Sequence, residues 1–581
     1  MKINQLSIKK IIAFNIALLI CLTLIIPLFL DLIEFNIRIK IIAFLGNYII
    51  FVLIAIMICD VILLVVKKQN WYFFSVLNMS LSFILFILML YSFLSEIYEI
   101  VYVMDYSNTA LPVTYKIVAI WAGEDGSIMT WMIFNSIMIN LFRIKNQNRE
   151  DLVFIRAIIL SLIVSTVFMF ILLFLNPFGI QTPPAVPNGR GLNPLLISPF
   201  MIWHPLFTFI AYAIFLIPFT KTLAEITSKN SKLLNSYQED FYSFSLKFGW
   251  LVLSLSIGLG AYWAKIALSP WNRYWGWDPV ETVSLLPWLF ATAYFHTMSF
   301  QKKNKLLVKI NVCAIFLSIV FSTLITRGGG LNSLHAFTGG AELIVWAVLV
   351  GIILVASTLY VIYIILDYLL EDYKKTKLFF DFLSYIFLFG MAFICIFGLF
   401  IPPFTFILYG GNNTIWIGID YYRVTMLFLA VGLAISLIFC SLWETYKIKS
   451  IAIAIVIAVI IQSIFSAILQ LGFGIWLNPV IIIYFIALFS SILKLGQNLS
   501  IKKGFKHFFR INSKTMVHIG ISFILIGTST DPNAGLILDF LYITGFTFLM
   551  VGIIPSILIV FFPKSKKKSE KQFIEEGLKR L

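Results

Sequence analysis

"IIAFNIALLICLTLIIPLFL", residues 11–30, decides the fold class. A helix of that length, rising about 1.5 Å per residue, is about 30 Å long and matches the hydrocarbon core of a bilayer. Lys9 and Lys10 precede it and no small-residue cleavage pattern follows it, so it reads as a retained helix rather than a cleaved leader. The rest of the chain repeats the theme. Its 581 residues are 60% hydrophobic and only 12% charged, with a mean hydropathy of +0.97, more apolar surface than a water-soluble domain can hide. The expected architecture is an all-α polytopic integral membrane protein with roughly 16 transmembrane helices of about 17–27 residues and short loops. They fall near 11–30, 41–66, 72–96, 125–142, 153–175, 201–220, 246–263, 282–300, 307–326, 341–370, 379–401, 421–443, 450–472, 476–493, 515–530 and 536–562. One membrane domain, 1–563, is followed by a basic tail, 564–581.

The net charge of +16 is explained by placement. Arg38, Lys40, Lys116, Arg190, Lys265, Arg273, Arg327 and Arg423 fall on one side of the predicted spans; the other Lys and Arg residues sit in the alternate loops, at the span ends beside them (Arg156 at a helix start among them) and in the two tails. That asymmetry predicts both termini in the cytoplasm and argues against a nucleic-acid partner. Cys21, Cys59, Cys313, Cys395 and Cys440 all lie inside spans without a C-x-x-C pair, which suits packing and not thiol exchange. Asp60, Glu342, Asp367 and Asp381 are the acids near span interiors or ends, and none has a basic neighbour in the sequence, unlike the charge chains of a proton pump.

Four outer loops, 105–127, 176–203, 264–281 and 327–340, combine Gly, Pro, Asn, Trp and Arg. Loops with both turn chemistry and polar handles carry function. In 264–281, "RYWGWDPVE" (273–281) is the densest. Asp278 before Pro279, with Glu281 three residues on, reads as an N-cap, a first-turn proline and a capping-box acid. Trp271, Tyr274, Trp275 and Trp277 form a local aromatic cluster, more concentrated than an interfacial belt. Such a cluster offers a flat, π-rich platform for a planar ligand.

Five histidines sort by depth. His204 and His335 lie at the outer surface. His296, about 22 Å inward from Glu281 at about 1.5 Å per residue, lies at a depth similar to His518; His507 sits in the basic loop 502–510. A lone intramembrane histidine is commonly a hydrogen-bonded packing residue, but two pairs at matched depths suit bis-histidine haem ligation.

These segments resemble a known family. "WNRYWGWDPVETVSLLPWL" (271–289) is similar to the tryptophan-rich signature of haem-handling proteins in cytochrome c maturation. "LPVTYKIVAIWAGEDGSIMTW" (111–131), "NGRGLNPLLISPFMIWHP" (188–205), "TRGGGLNSLHAF" (326–337) and "MVHIGISFILIGT" (516–528) resemble its CcmF branch, in order. The resemblance implies a haem lyase in a prokaryotic plasma membrane, active on the extracytoplasmic face. Such an enzyme takes haem from a membrane-anchored haem chaperone and joins its vinyl groups to the C-x-x-C-H thiols of an apocytochrome c, alongside other maturation subunits. By resemblance His204 and His335 are catalytic axial ligands of the substrate haem. Trp271, Tyr274, Trp275, Trp277 and Asp278 make its platform, and Arg190 and Arg327, ahead of Arg273 and Lys265, are candidates for its propionates. His296 and His518 would hold a second, b-type haem that reduces the first, with quinol as a candidate electron source. Trp121, Glu124 and Asp125 are candidates in that electron path or simple turn and cap residues. The chain departs from the pattern at Asn272, Arg273, Tyr274 and Leu206, and has only "TSTDPNAG" (528–535) where many members carry a large outer region. Rival readings are a haem exporter or transporter, a proton-pumping membrane enzyme, and an assembly subunit that binds no haem.

Overall fold

A computed structural model describes residues 8–67, 72–146, 151–181, 187–228, 240–267, 274–297, 305–327, 348, 350–357, 359–361, 377–409, 414–442, 448–468, 478–498, 505–530 and 535–561. They form helices α1 (Ile8–Asp31), α2 (Phe35–Lys67), α3 (Tyr72–Leu94), α4 (Val101–Tyr106), α5 (Val113–Ala119), α6 (Glu124–Lys145), α7 (Leu152–Leu175), α8 (Pro199–Ile226) and α9 (Asp240–Ala267). Then come α10 (Pro279–Thr297), α11 (Lys305–Arg327), α12 (Lys377–Tyr409), α13 (Ile419–Leu442), α14 (Ile448–Ile468), α15 (Pro479–Gln497), α16 (Phe505–Thr528) and α17 (Leu536–Phe561). The described residues contain no strand, and 11 of their helices are long and apolar enough to cross a membrane, as a multi-pass membrane protein requires. The helices that carry His296 and His518, α10 and α16, are not among those 11.

Two compact units divide the chain: 1–233 with 252–436, and 234–251 with 437–581. In the first, α3 packs on α6, α2 on α7, α8 on α6, α7 and α11, and α10 on α11 and α12. In the second, α16 packs on α15 and α17. Three helix starts follow one local rule. Ser198-Pro199, Asp278-Pro279 and Asn478-Pro479 each pair a capping oxygen with a proline whose missing N–H falls where no intrahelical acceptor exists.

Three expectations change. The loop 105–127 contains α5 and the end of α4. The basic stretch 502–510 is helical from Phe505, about ten residues ahead of the predicted 515, which charge density alone concealed. Asp60 and Asp381 do have basic partners. Arg143 on α6 donates to both Asp60 oxygens, at 2.7 and 3.0 Å, and to Ser75 Oγ at 2.7 Å, with the pair's side chains 0% and 2% exposed. The Asp381 carboxylate lies 3.9 Å from His296 Nδ1. Both pairs join residues far apart in sequence, so adjacency along the chain could not reveal them. Glu342, Asp367 and the tail 564–581 lie outside the described residues.

Candidate functional site

Five helix ends meet at one end of the first unit: the starts of α6, α8 and α10 and the ends of α9 and α11. Side-chain contacts bind them. Arg327, in the last turn of α11, is buried and donates to Ser127 Oγ in the first turn of α6. Trp121, just before α6, donates from Nε1 to the Met201 carbonyl at 3.4 Å. The reason is local: Pro205 has no N–H to give the carbonyl four residues back, and the indole supplies the missing donor. Trp263 Nε1 on α9 donates to the Leu195 carbonyl at 3.2 Å, and the Phe200 and Tyr262 rings meet at 5.0 Å.

His204 sits on α8, one residue before that proline, against α9. Its Nδ1 lies 2.8 Å from the Ser256 carbonyl oxygen. A carbonyl only accepts, so Nδ1 carries the proton, and in the neutral ring Nε2 bears the lone pair. Ser256 Oγ donates to the His204 carbonyl at 2.9 Å and lies 2.5 Å from Thr208 Oγ1. The ring lies flat on Gly260, where a Cβ would come within 2.5 Å of Cε1.

The aromatic loop is built on Glu281. Its Oε2 accepts from the Gly276 N–H at 2.8 Å and the Asp278 N–H at 3.4 Å, while Asp278 Oδ1 accepts from the Val280 N–H at 2.9 Å. This is the expected capping box, extended by one donor. Trp277 takes a left-handed backbone, φ 58°, and the two N–H groups flanking it thereby converge on one oxygen. That conformation costs a non-glycine residue about 1–2 kcal/mol, and the charged hydrogen bonds offset it. The shelf is not flat. Trp275 and Trp277 stand at 84° with centroids 6.1 Å apart, so they form a corner, and Trp277 stacks at 5° and 5.6 Å on Tyr422 of α13. Tyr274 is buried beneath, 5.9 Å from Tyr262, with Lys265 Nζ 5.1 Å from its ring centroid. Tyr274 and Asp278 therefore support the corner, and Trp275 and Trp277 are its half-buried rings. The Trp275 indole N–H is buried and has no acceptor among the described residues. Sequence reasoning missed Tyr422, Ser256 and Gly260. Only the double tyrosine at 421–422, at the start of a span, gave any hint.

Residues 96–112 zip against 176–181 and 187–192 beside these helix ends. Ile100 and Ile180 form an antiparallel bridge, and the N–H groups of Arg190 and Gly191 donate to the carbonyls of Met104 and Ser107 at 2.7 and 3.0 Å. Gly191 takes φ 86°, which few other residues adopt. This rigid turn displays Arg190, 74% exposed and 2.8 Å from Asp105. On the same loop, burial pushes the Tyr106 phenol up to about 12, with help from the Asp125, Asp105 and Glu124 charges. Glu124 and Asp125 open α6 in its first turn.

His296 is buried in α10, beside Asp381 of α12. His518 is buried in α16 of the second unit, its carbonyl accepting from Ser522 Oγ at 2.9 Å. Trp271, Arg273 and His335 lie outside the described residues, as does the side chain of His507.

Comparison with known proteins bears on this arrangement. A family model described as cytochrome C assembly protein matches residues 121–331. That segment contains Trp121, Arg190, His204, the tryptophan loop, His296 and Arg327, and stops before His335. Residues 121–331 are thus similar to cytochrome C assembly proteins. The cytochrome c-type biogenesis protein NrfE of Haemophilus influenzae is 33% identical over 255 residues, 43% of this chain and 39% of the relative. The cytochrome c-type biogenesis protein CcmF of Escherichia coli is 32% identical over 256 residues, again 43% and 39%. The chain's matched stretch thus spans about two fifths of the length of these relatives. A solved structure of the cytochrome c heme lyase CcmF shares the fold, with TM-score 0.57 at 17% identity over 84% of this chain and 76% of that one. The resemblance to CcmF read from the motifs is borne out.

Proposed function

We propose that the chain acts in cytochrome c biogenesis as a haem lyase, presenting haem to the C-x-x-C-H thiols of an apocytochrome c on the extracytoplasmic face of a prokaryotic plasma membrane. The observation that carries this reading is the state of His204. Its Nδ1 is tied to a backbone carbonyl, so Nε2 is the nitrogen suited to iron. It stands among helix ends that also present an indole corner whose N–H has no acceptor among the described residues. The donor set fits haem: an imidazole for iron, ring faces for the macrocycle, and N–H and guanidinium groups for carboxylates.

In this reading the protein's work is positioning. His204 and His335 would hold the iron. Trp275 and Trp277, with Trp271, hold the macrocycle, and Tyr274, Asp278 and Glu281 hold the loop. Arg190, displayed on its rigid turn, takes a propionate; Arg327, buried on Ser127, is the second candidate. A cysteine sulfur then adds across a vinyl group: the S–C bond forms at one vinyl carbon and the proton goes to the other. Deprotonation makes the sulfur the stronger nucleophile. Haem arrives from a membrane-anchored chaperone, and other maturation subunits take part. On the family resemblance, His296 and His518 would hold a second, b-type haem, which would supply one-electron chemistry, with quinol as the candidate electron source. The Asp381 carboxylate near His296 Nδ1 suits a ligand role for that ring.

Optical spectra of the purified full chain, with and without reductant, and an attachment assay with a C-x-x-C-H apocytochrome test this. The wild type should carry a low-spin haem. His296→Ala and His518→Ala should remove it; His204→Ala and His335→Ala should keep it and abolish attachment. Four variants with wild-type haem content and attachment would refute the two-site reading.

A further inference from the structure

We infer that α9 is the positioning element for the His204 imidazole: the Ser256 carbonyl selects its tautomer and the bare surface of Gly260 sets its tilt. The inference rests on the proposed role of His204 as an axial ligand and adds residues that sequence motifs do not reach. Three observations on two adjacent turns of α9 carry it. The 2.8 Å contact from Nδ1 to the Ser256 carbonyl oxygen defines one edge of the ring. The Ser256 hydroxyl donates to the His204 carbonyl at 2.9 Å and meets Thr208 Oγ1, so the same residue holds the backbone that bears the ring. Gly260, one turn on, lies under Cε1, Nδ1 and Nε2, with room for hydrogen but not for a methyl group: a Cβ would be 2.5 Å from Cε1, 2.7 Å from Nδ1 and 3.1 Å from Nε2.

The geometry has a directional consequence. An α-helix exposes few carbonyls to outside donors, because each already accepts an N–H four residues on. Here α9 comes so close to α8 that the Ser256 carbonyl takes the imidazole N–H from the side, and only a glycine at the next turn permits that approach. The ring can move where the backbones cannot, so a methyl group at 260 is relieved by swinging His204 off the Ser256 carbonyl. Both the aim and the tautomer of the ligand are then lost. Ser256 and Gly260 touch neither iron nor substrate in this account; they act through His204.

Haemin titrated into the purified full chain, followed by difference absorbance to subtract haem already carried, is the test. Gly260→Ala should weaken haemin binding about 10–100-fold, the range typical for loss of an outer-shell support. It should also lose the low-spin difference spectrum, and millimolar imidazole should restore that spectrum. His204→Ala should behave the same way. Wild-type affinity and spectrum in Gly260→Ala, with loss in His204→Ala, would overturn the inference and leave the functional reading standing. Wild-type behaviour in His204→Ala would remove the functional reading itself. Nitrogen NMR of the histidine-labelled wild type, with His204→Gln to assign the signal, decides the matter should Gly260→Ala not fold. The His204 signal should report a protonated Nδ1 and an unprotonated Nε2, and the opposite tautomer would overturn the inference.

Discussion

Replacing Asp60 and Arg143 together should destabilise the protein much less than the two single replacements combined. Arg143 makes two hydrogen bonds to Asp60 and one to Ser75, and the ion pair is almost wholly excluded from the surface. Hydrogen bonds to charged groups contribute about 1.5–3 kcal/mol each, so the two across the pair amount to about 3–6 kcal/mol before desolvation. Asp60→Ala leaves a guanidinium buried without its counter-ion, and Arg143→Met leaves a carboxylate in the same state; each should cost about 3–5 kcal/mol. The double variant buries no charge and should cost much less than the two single losses combined. The difference is a coupling of about 3 kcal/mol or more, measurable as a double-mutant cycle on the unfolding of purified protein in mixed micelles. Ser75→Ala, which removes the third acceptor, should cost about 1 kcal/mol. A measured coupling below about 1 kcal/mol, the range of exposed pairs, would show that water reaches the pair and that the burial argument is wrong.

Two further outcomes follow from the candidate site. Trp275→Phe keeps a ring and removes only an N–H that has no acceptor among the described residues. Thermal stability without added haem should stay near wild type, while haemin affinity falls roughly 10-fold, as for one lost hydrogen bond to a charged acceptor; equal affinity would show that the N–H meets no ligand. Trp121→Phe removes the donor that replaces the missing N–H of Pro205 and should cost about 0.5–1.5 kcal/mol. The same change in a Pro205→Ala background should cost less, because the alanine N–H reaches Met201 itself, and equal costs in the two unfolding series would refute that substitution of donors.

The helices were legible because the bilayer demands a length and an apolarity that no other element shares; α7 and α13 start and end within a few residues of their predicted spans. Capping chemistry was legible too, since Asp278, Pro279 and Glu281 act on neighbours two to five residues away. The site was legible in its residue types and not in its geometry. Tyr274 carries the same aromatic signal as Trp275, yet one is buried under Lys265 and the other is half of a corner. Ser256 and Gly260 matter only through their distance from a histidine on another helix.

Arg143 marks the limit more sharply, because composition assigned it the wrong work. As a cation near a helix end it counted toward orientation, although it is fully buried. A finer reading had a signal to use. Ser136, Asn140 and Arg143 recur at intervals of four and three on α6, and Ser75, Asn78 and Ser82 recur at three and four on α3. In water such a stripe would mark a solvated face. In lipid no solvent satisfies it, so two polar stripes on neighbouring spans imply each other. Ser136 Oγ indeed lies 3.0 Å from Asn78 Oδ1 and 3.2 Å from Ser82 Oγ, and Arg143 reaches Ser75 one turn further along. The same periodicity that locates an apolar face in a soluble helix thus locates a helix partner in this one, because the medium reverses which face must be hidden.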